Sequence, residues 1–238
     1  MEKIINNENF SSFAYTNEKL IKGRAKALVF DFYGLGTEVM ADDNWGWAKK
    51  FAENDIIYCV PYYNPWSWMN DTAVRFTDEI AECIMNRHNK ILPVISTGGS
   101  MGGLSSIVYA NYSSHTPAGV VSNCPVCDLL FHYGERPDLP RTIYSAFGHY
   151  ECGFEDAVKS ASPYHLIGNL PKIPYRLFHC TGDKHVNIDK HSRKFVCAMK
   201  ENGYDAELTV IEGRTHGDLG ESGFAEYVQE IFNLINNL

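Results

Sequence analysis

From about residue 26 onward, short apolar runs alternate with amphipathic stretches, the pattern of βα units wound about a mostly parallel sheet. The runs Ala27–Phe32, Ile56–Val60, Ile91–Ser96, Gly119–Asn123, Tyr175–Cys180 and Glu207–Ile211 are too short for helices and several are rich in β-branched residues. They predict central strands covered on both faces. Asn44–Glu53, Thr72–Arg87, Met101–Tyr112, Asp189–Asn202 and Gly220–Asn236 carry helical spacing, with Asp189 and Gly203 as a start and a stop signal. Two segments break the rhythm. Pro61–Trp68 follows a strand end and is dense in aromatics, and Val126–Pro174 is too long for a plain connection, which predicts a small helical cap. The expectation is one α/β domain over residues 1–238, with helices on both faces of the sheet and a cap insertion at 126–174.

Composition narrows the class of partner. The formal net charge is −8 with a pI near 5.6, and no cluster of Lys and Arg is present to neutralise phosphates, so nucleic acid is not an expected partner. No apolar run approaches the roughly 18 residues of a membrane span. The polar, Asn-rich stretch Met1–Phe10 lacks the charged-then-apolar pattern of a secretory signal. A soluble, cytoplasmic protein without membrane partners is expected. Seven cysteines in a chain of this length do not form a dense disulfide framework. Cys124-Pro-Val-Cys127 has CxxC spacing, but no second CxxC accompanies it, so buried reduced thiols are expected in place of a metal or redox centre.

The chemistry concentrates around Gly98-Gly-Ser-Met-Gly102, which follows a predicted strand and precedes a predicted helix. That is the context of a nucleophile elbow, where small neighbours let a sharp turn expose the serine. Ser100 is the expected nucleophile, and the Met101 N–H at the helix start is an expected oxyanion donor. A serine hydroxyl needs a base, and the base needs an orienting group. The strand Tyr175–Cys180 runs into Thr181-Gly-Asp183, and the last strand runs into a loop bearing His216-Gly217. Open α/β sheets place their sites at such strand carboxyl ends. His185 and His191 lie too close in sequence to Asp183, so His216 is the expected base among nine histidines. Asp183 is the favoured carboxylate, with Asp128 after the preceding strand as its rival.

A second oxyanion donor is expected from Phe32-Tyr-Gly-Leu-Gly36, either the Leu35 N–H or the Tyr33 hydroxyl. Tyr62, Tyr63, Trp66 and Trp68 either wall the substrate pocket or anchor their loop to the core.

Together, Tyr33-Gly-Leu-Gly36, Gly98-Gly-Ser-Met-Gly-Gly103, Ser162-Pro163, His179-Cys-Thr-Gly-Asp-Lys-His-Val186 and His216-Gly217 resemble the α/β-hydrolase superfamily. More narrowly they resemble the catalytic domain of the prolyl oligopeptidase family and its stand-alone esterase relatives. The family's acid motif usually reads His-Gly, two residues, Asp, two residues, Val; here Cys180 replaces the glycine while Asp183 and Val186 keep their spacing. The resemblance implies an α/β-hydrolase fold and a role for Tyr33 as the family's oxyanion tyrosine. Only about 25 residues lie before the first strand, so shortened or absent leading strands, no preceding β-propeller and no propeller-based peptide selection are expected. The expected function is hydrolysis of a small-molecule carboxylic ester through an acyl-enzyme, with no metal or organic cofactor. A small-oligopeptide peptidase is the alternative, and a non-catalytic binding protein is the third reading.

Overall fold

A computed structural model describes residues 4–238. Seven strands form one sheet in the order β1-β3-β2-β4-β5-β6-β7. They are β1 (Ala14–Thr16), β2 (Ala27–Phe32), β3 (Ile56–Pro61), β4 (Val94–Gly99), β5 (Gly119–Asn123), β6 (Tyr175–Cys180) and β7 (Ala206–Ile211). All neighbours are parallel except β1, which pairs antiparallel with β3 at the edge. The helices are α1 (Gly46–Ala52), α2 (Asp71–His88), α3 (Met101–Tyr112), α4 (Leu129–His132), α5 (Leu139–Phe147), α6 (Phe154–Ser160), α7 (Lys194–Glu201) and α8 (Gly220–Asn236).

Strand alternation separates two cores. Leu28, Phe30 and Phe32 face the layer of α2, α3, α7 and the cap, while Ala27 and Val29 face α1 and α8. Burial on both faces explains why these strands read as continuous apolar runs in the sequence. Between β5 and β6, the helices α4, α5 and α6 and the 3-10 turn Pro163–Leu166 fill the segment expected to be a cap. The aromatic loop after β3 grips it. Trp68 Nε1 donates to Thr142 Oγ1 at 3.2 Å, Asn70 Nδ2 donates to the Ala146 carbonyl at 3.3 Å, and the Tyr150 hydroxyl donates to Asp71 at 2.7 Å. Among the described residues no helix is long and apolar enough to cross a membrane.

Three local expectations change. The short strand β1, Ala-Tyr-Thr, carries too few residues to show alternation. The third parallel strand, β4, is shifted from Ile91–Ser96 to Val94–Gly99, because Ile91 is 84 % exposed and Pro93 has no N–H for a ladder. Its last residues, Gly98 and Gly99, pair with β2 and β5, so β4 runs directly into Ser100. Asp189–Asn202 is not one α-helix: it opens with a π turn over Asp189–Arg193, in which the Arg193 N–H reaches the Ile188 carbonyl, before α7 begins.

The glycines of the Ser100 turn are held by space. A Cβ on Gly102 would sit 1.9 Å from the Phe32 carbonyl oxygen, and one on Gly98 would sit 2.5 Å from the Gly102 carbonyl oxygen, both backbone atoms that cannot swing aside. Gly99 is different, since its nearest contact would be an ordinary 3.6 Å. Gly102→Ala should therefore cost at least about 3 kcal/mol of stability and lower the thermal midpoint by roughly 6–12 °C. Gly99→Ala should leave the midpoint within about 2 °C. Differential scanning calorimetry of the two variants checks the contrast.

Candidate active site

Ser100 caps α3 with φ 59° and ψ −122°, a positive φ that a non-glycine residue adopts only when its surroundings impose it. Part of that imposition is the Ser100 N–H, which donates to the Asn123 carbonyl at 2.9 Å and pins the turn to the end of β5. The Ser100 hydroxyl makes no hydrogen bond to any described residue and is partly exposed. Beside it lies Gly34, whose Cβ, if it had one, would be 3.8 Å from the Ser100 Cβ. The loop after β2 thus passes against the serine.

His216 and Asp183 meet as their strand ends suggested. His216 Nδ1 lies 2.6 Å from Asp183 Oδ2, and the Asp183 side chain is fully buried while His216 is 22 % exposed. Asp183 Oδ1 accepts the backbone N–H groups of His185 at 2.8 Å and Val186 at 3.0 Å. Burial by itself would raise the Asp183 carboxyl. The hydrogen bonds from His179, His216 and Val186 outweigh it and hold the carboxyl far below the ordinary range. Asp128 is placed elsewhere in the network. Its Oδ1 accepts the Phe131 N–H at 3.0 Å as the N-cap of α4, and its Oδ2 accepts Lys194 Nζ at 2.9 Å. Both of its oxygens serve the cap and α7.

Asn123, which sequence reasoning passed over, joins the two halves of the site. Its carbonyl holds the Ser100 N–H, and its Nδ2 donates to the Gly217 carbonyl at 2.9 Å. One residue at the end of β5 therefore fixes both the serine turn and the histidine loop. Its position beside the serine strand was the only available signal.

The candidate oxyanion donors separate. The Met101 N–H opens α3 and the Leu35 N–H lies in the loop that passes Ser100, and neither is spent on a described partner. Gly36 N–H, by contrast, donates to the Pro65 carbonyl. The Tyr33 side chain points away from that pair. Its ring stacks on Trp45 at 6.1 Å, and its hydroxyl is buried and unpartnered beside Tyr62 and the Ala41 backbone. Just past the end of β2, Tyr33 packs against the clusters on both faces of the sheet.

The four aromatics divide as well. Trp68 is 1 % exposed and bonded to the cap, and Tyr63 is buried with its hydroxyl donating to the Tyr33 carbonyl at 2.8 Å, so both anchor their loop. Half-buried Tyr62 leans on the Ala41 carbonyl. Trp66 is 43 % exposed with its indole against Gly36, and it is the one of the four whose ring is free to meet a substrate.

The CxxC thiols lie on opposite faces of the sheet, Cys124 in the α1–α8 core and Cys127 in the α2–α3 core, so they do not form a pair. Burial pushes both thiols up. Cys124 Sγ instead accepts the Gly217 N–H at 3.4 Å, behind the histidine. Two groups gather potential metal ligands: Cys124 with His179 and Asp183, and His132 with Glu135 and His191. In each, imidazole nitrogens are already committed. His179 uses both ring nitrogens on Ser192, Val186 and Asp183, and His191 uses Nδ1 on the Cys127 and Asp128 N–H groups and Nε2 on Glu135. Metal ligation would break these bonds.

Comparison with known proteins gives the family and the fold. The prolyl oligopeptidase family matches residues 84–236, well over half of the chain. The comparison with curated proteins gave no match. Among solved structures, the apo form of Thermogutta terrifontis esterase 2 superposes with a TM-score of 0.67 at 18% identity, over 94% of this chain and 88% of that one. The same esterase phosphorylated by paraoxon gives 0.63 at 20% identity, over 92% and 85%. A lipase in its open form gives 0.69 at 12% identity, over 94% and 93%. With its parallel sheet, its strand-end serine turn and this family match, the chain is an α/β-hydrolase-fold member of the prolyl oligopeptidase family, a family of serine hydrolases.

Proposed function

We propose that the protein hydrolyses carboxylic esters through an acyl-enzyme on Ser100. The observation that carries the reading is the contact of buried Asp183 with partly exposed His216 at 2.6 Å, on the same sheet edge as a serine held at positive φ. In this reading His216 Nε2 takes the Ser100 proton as the hydroxyl attacks the carbonyl, and Asp183 holds the ring with Nδ1–H toward itself and stabilises the imidazolium. The Met101 and Leu35 N–H groups receive the oxyanion. His216 then returns the proton to the leaving alkoxide, and water repeats the sequence on the acyl group. The half-exposed Trp66 indole lies beside Gly36, next in sequence to Leu35, where its ring can meet the substrate. The names of the solved neighbours, an esterase and a lipase, agree with this class of reaction.

The family match favours a second reading, cleavage of small peptides. Ester cleavage asks less of the site, because an alkoxide departs more readily than an amine, which must be protonated as it leaves. We expect kcat/KM for a short-chain alkyl ester to exceed that for a matched dipeptide by at least about a hundredfold, or some 2.7 kcal/mol in barrier. Assaying both with a chromogenic ester and anilide pair alongside guards against the advantage of activated leaving groups. Dipeptide turnover above alkyl-ester turnover would replace the esterase reading with the peptidase one.

A further inference from the structure

We propose that His179 and Ser192 form a second arm on the Asp183 carboxylate, acting as positioning residues that set how strongly Asp183 holds His216. The inference rests on the reading of Asp183 as the carboxylate of the active site.

Asp183 Oδ2 has two imidazole neighbours. His216 Nδ1 is at 2.6 Å, and His179 Nε2 is at 3.3 Å, on a ring with no solvent exposure. The tautomer of His179 follows from its other partners. Nε2 also faces the Val186 carbonyl at 3.0 Å, an acceptor, so Nε2 must carry the proton. Nδ1 is then a lone pair, and it is met at 2.7 Å by the hydroxyl of buried Ser192, which donates to it. Ser192 thus orients a ring whose Nε2–H bonds the Val186 carbonyl and lies 3.3 Å from the carboxylate.

The π turn carries this contact. Its consecutive residues His191 and Ser192 are both fully buried, and each meets a different neighbour. His191 faces the cap, with Nε2 on Glu135 at 2.7 Å, while Ser192 faces His179. Glu135 also takes His132 Nδ1, and these two hydrogen bonds outweigh burial and hold its carboxyl at about 2, so the cap side of the turn stays ionised and bonded. The extra residue in the turn lets one element hold the cap and the acid arm at once.

The arm has a definite electrostatic sign. A neutral N–H on Oδ2 satisfies part of the carboxylate's charge, and removing it leaves more of that charge for the imidazolium of His216. The imidazolium should then persist to higher pH, and reaction at low pH should be lost earlier. The other titratable groups facing the pair are His185, whose ring is 5.4 Å from that of His216, Arg136 from the cap beside His185, and the Cys124 and Cys180 thiols behind Asp183. All of them stay in place in the variants below.

The test compares His179→Leu, His179→Gln and Ser192→Ala with the wild type, all first shown to be folded by thermal denaturation. Gln carries a neutral N–H at the reach of Nε2 and is the conservative replacement. The rate of Ser100 labelling by a fluorophosphonate, followed against pH, needs no knowledge of the substrate. We expect its acid limb to move up by at least about 0.5 pH unit in His179→Leu and in the same direction in Ser192→Ala. In His179→Gln it should return to within about 0.2 unit of the wild type. The proton NMR signal of the His216 Nδ1–H bridging to Asp183 should move downfield in the first two variants and not in the third. An unmoved limb and signal in folded His179→Leu and Ser192→Ala, or a Gln variant indistinguishable from Leu, overturns the arm. Should His179→Leu fail to fold, Ser192→Ala alone decides. Failure of the wild type to label at Ser100 would overturn the functional reading instead, and the NMR signal would then decide the arm.

Discussion

Ser100→Ala is expected to abolish ester hydrolysis, lowering kcat by at least about 10⁴-fold, while leaving the thermal midpoint within about 2 °C of the wild type. The two halves of that expectation rest on different atoms. The hydroxyl makes no hydrogen bond to a described residue, so its removal deprives no partner. Alanine keeps the Cβ, and so it keeps the cost of the positive φ at 59° without adding to it. What is lost is the nucleophile. Residual turnover would come from the Met101 and Leu35 donors acting on bound substrate with water as the attacker. Labelling by a fluorophosphonate should vanish with turnover. A variant that still labels, or that keeps more than about one per cent of the activity, would remove Ser100 from the mechanism.

The serine turn was legible because its constraints are local. A sequence that places glycine where a Cβ would strike the Phe32 and Gly102 carbonyls states the geometry of the turn before any tertiary contact is known. The order of Asp183 and His216 after two strand ends was legible for a similar reason, since parallel strands deliver successive loops to one edge. Their pairing at 2.6 Å then needed only adjacency of β6 and β7.

What escaped the sequence depended on direction. Tyr33 matched a motif, yet its ring stacks on Trp45 and its hydroxyl is left without a partner. Trp68 and Tyr63 were aromatic in the right loop, but burial turns them inward, and only Trp66 is left with an exposed ring. The shift of β4 by three residues came from Pro93, and it matters because the corrected strand ends on the serine. Neither the π turn nor the contact of Ser192 with His179 has a sequence signature, since 13 residues and a change of helical period separate the pair. Asn123 was invisible because an asparagine at a strand end is ordinary, and only the paired loops give it two tasks.

Asp183→Asn should lower kcat by about 10⁴-fold, the scale on which loss of the orienting carboxylate acts in serine proteases, whereas Asp128→Asn should leave kcat within about threefold. The direction of the first effect can be traced atom by atom. Oδ1 accepts the N–H groups of His185 and Val186, so an amide at this position must put its carbonyl oxygen there and its NH₂ at the Oδ2 position. That NH₂ would face His216 Nδ1 and His179 Nε2, both of which carry protons toward the carboxylate in the proposed mechanism. His216 can relieve the clash only by moving its proton to Nε2. It then presents an N–H to Ser100 where a lone pair is needed, so the serine keeps its proton. Asp128 offers the opposite case. Asparagine is as good an N-cap as aspartate for the Phe131 N–H, and the lost ion pair to Lys194, whose side chain is 40 % exposed, is worth at most about 1 kcal/mol of stability. Steady-state kinetics of both variants above the acid limb decides between the two carboxylates. If Asp128→Asn were the more damaging while Asp183→Asn kept its turnover, the carboxylate role would pass to the end of β5, and the 2.6 Å contact would be left as a structural bond.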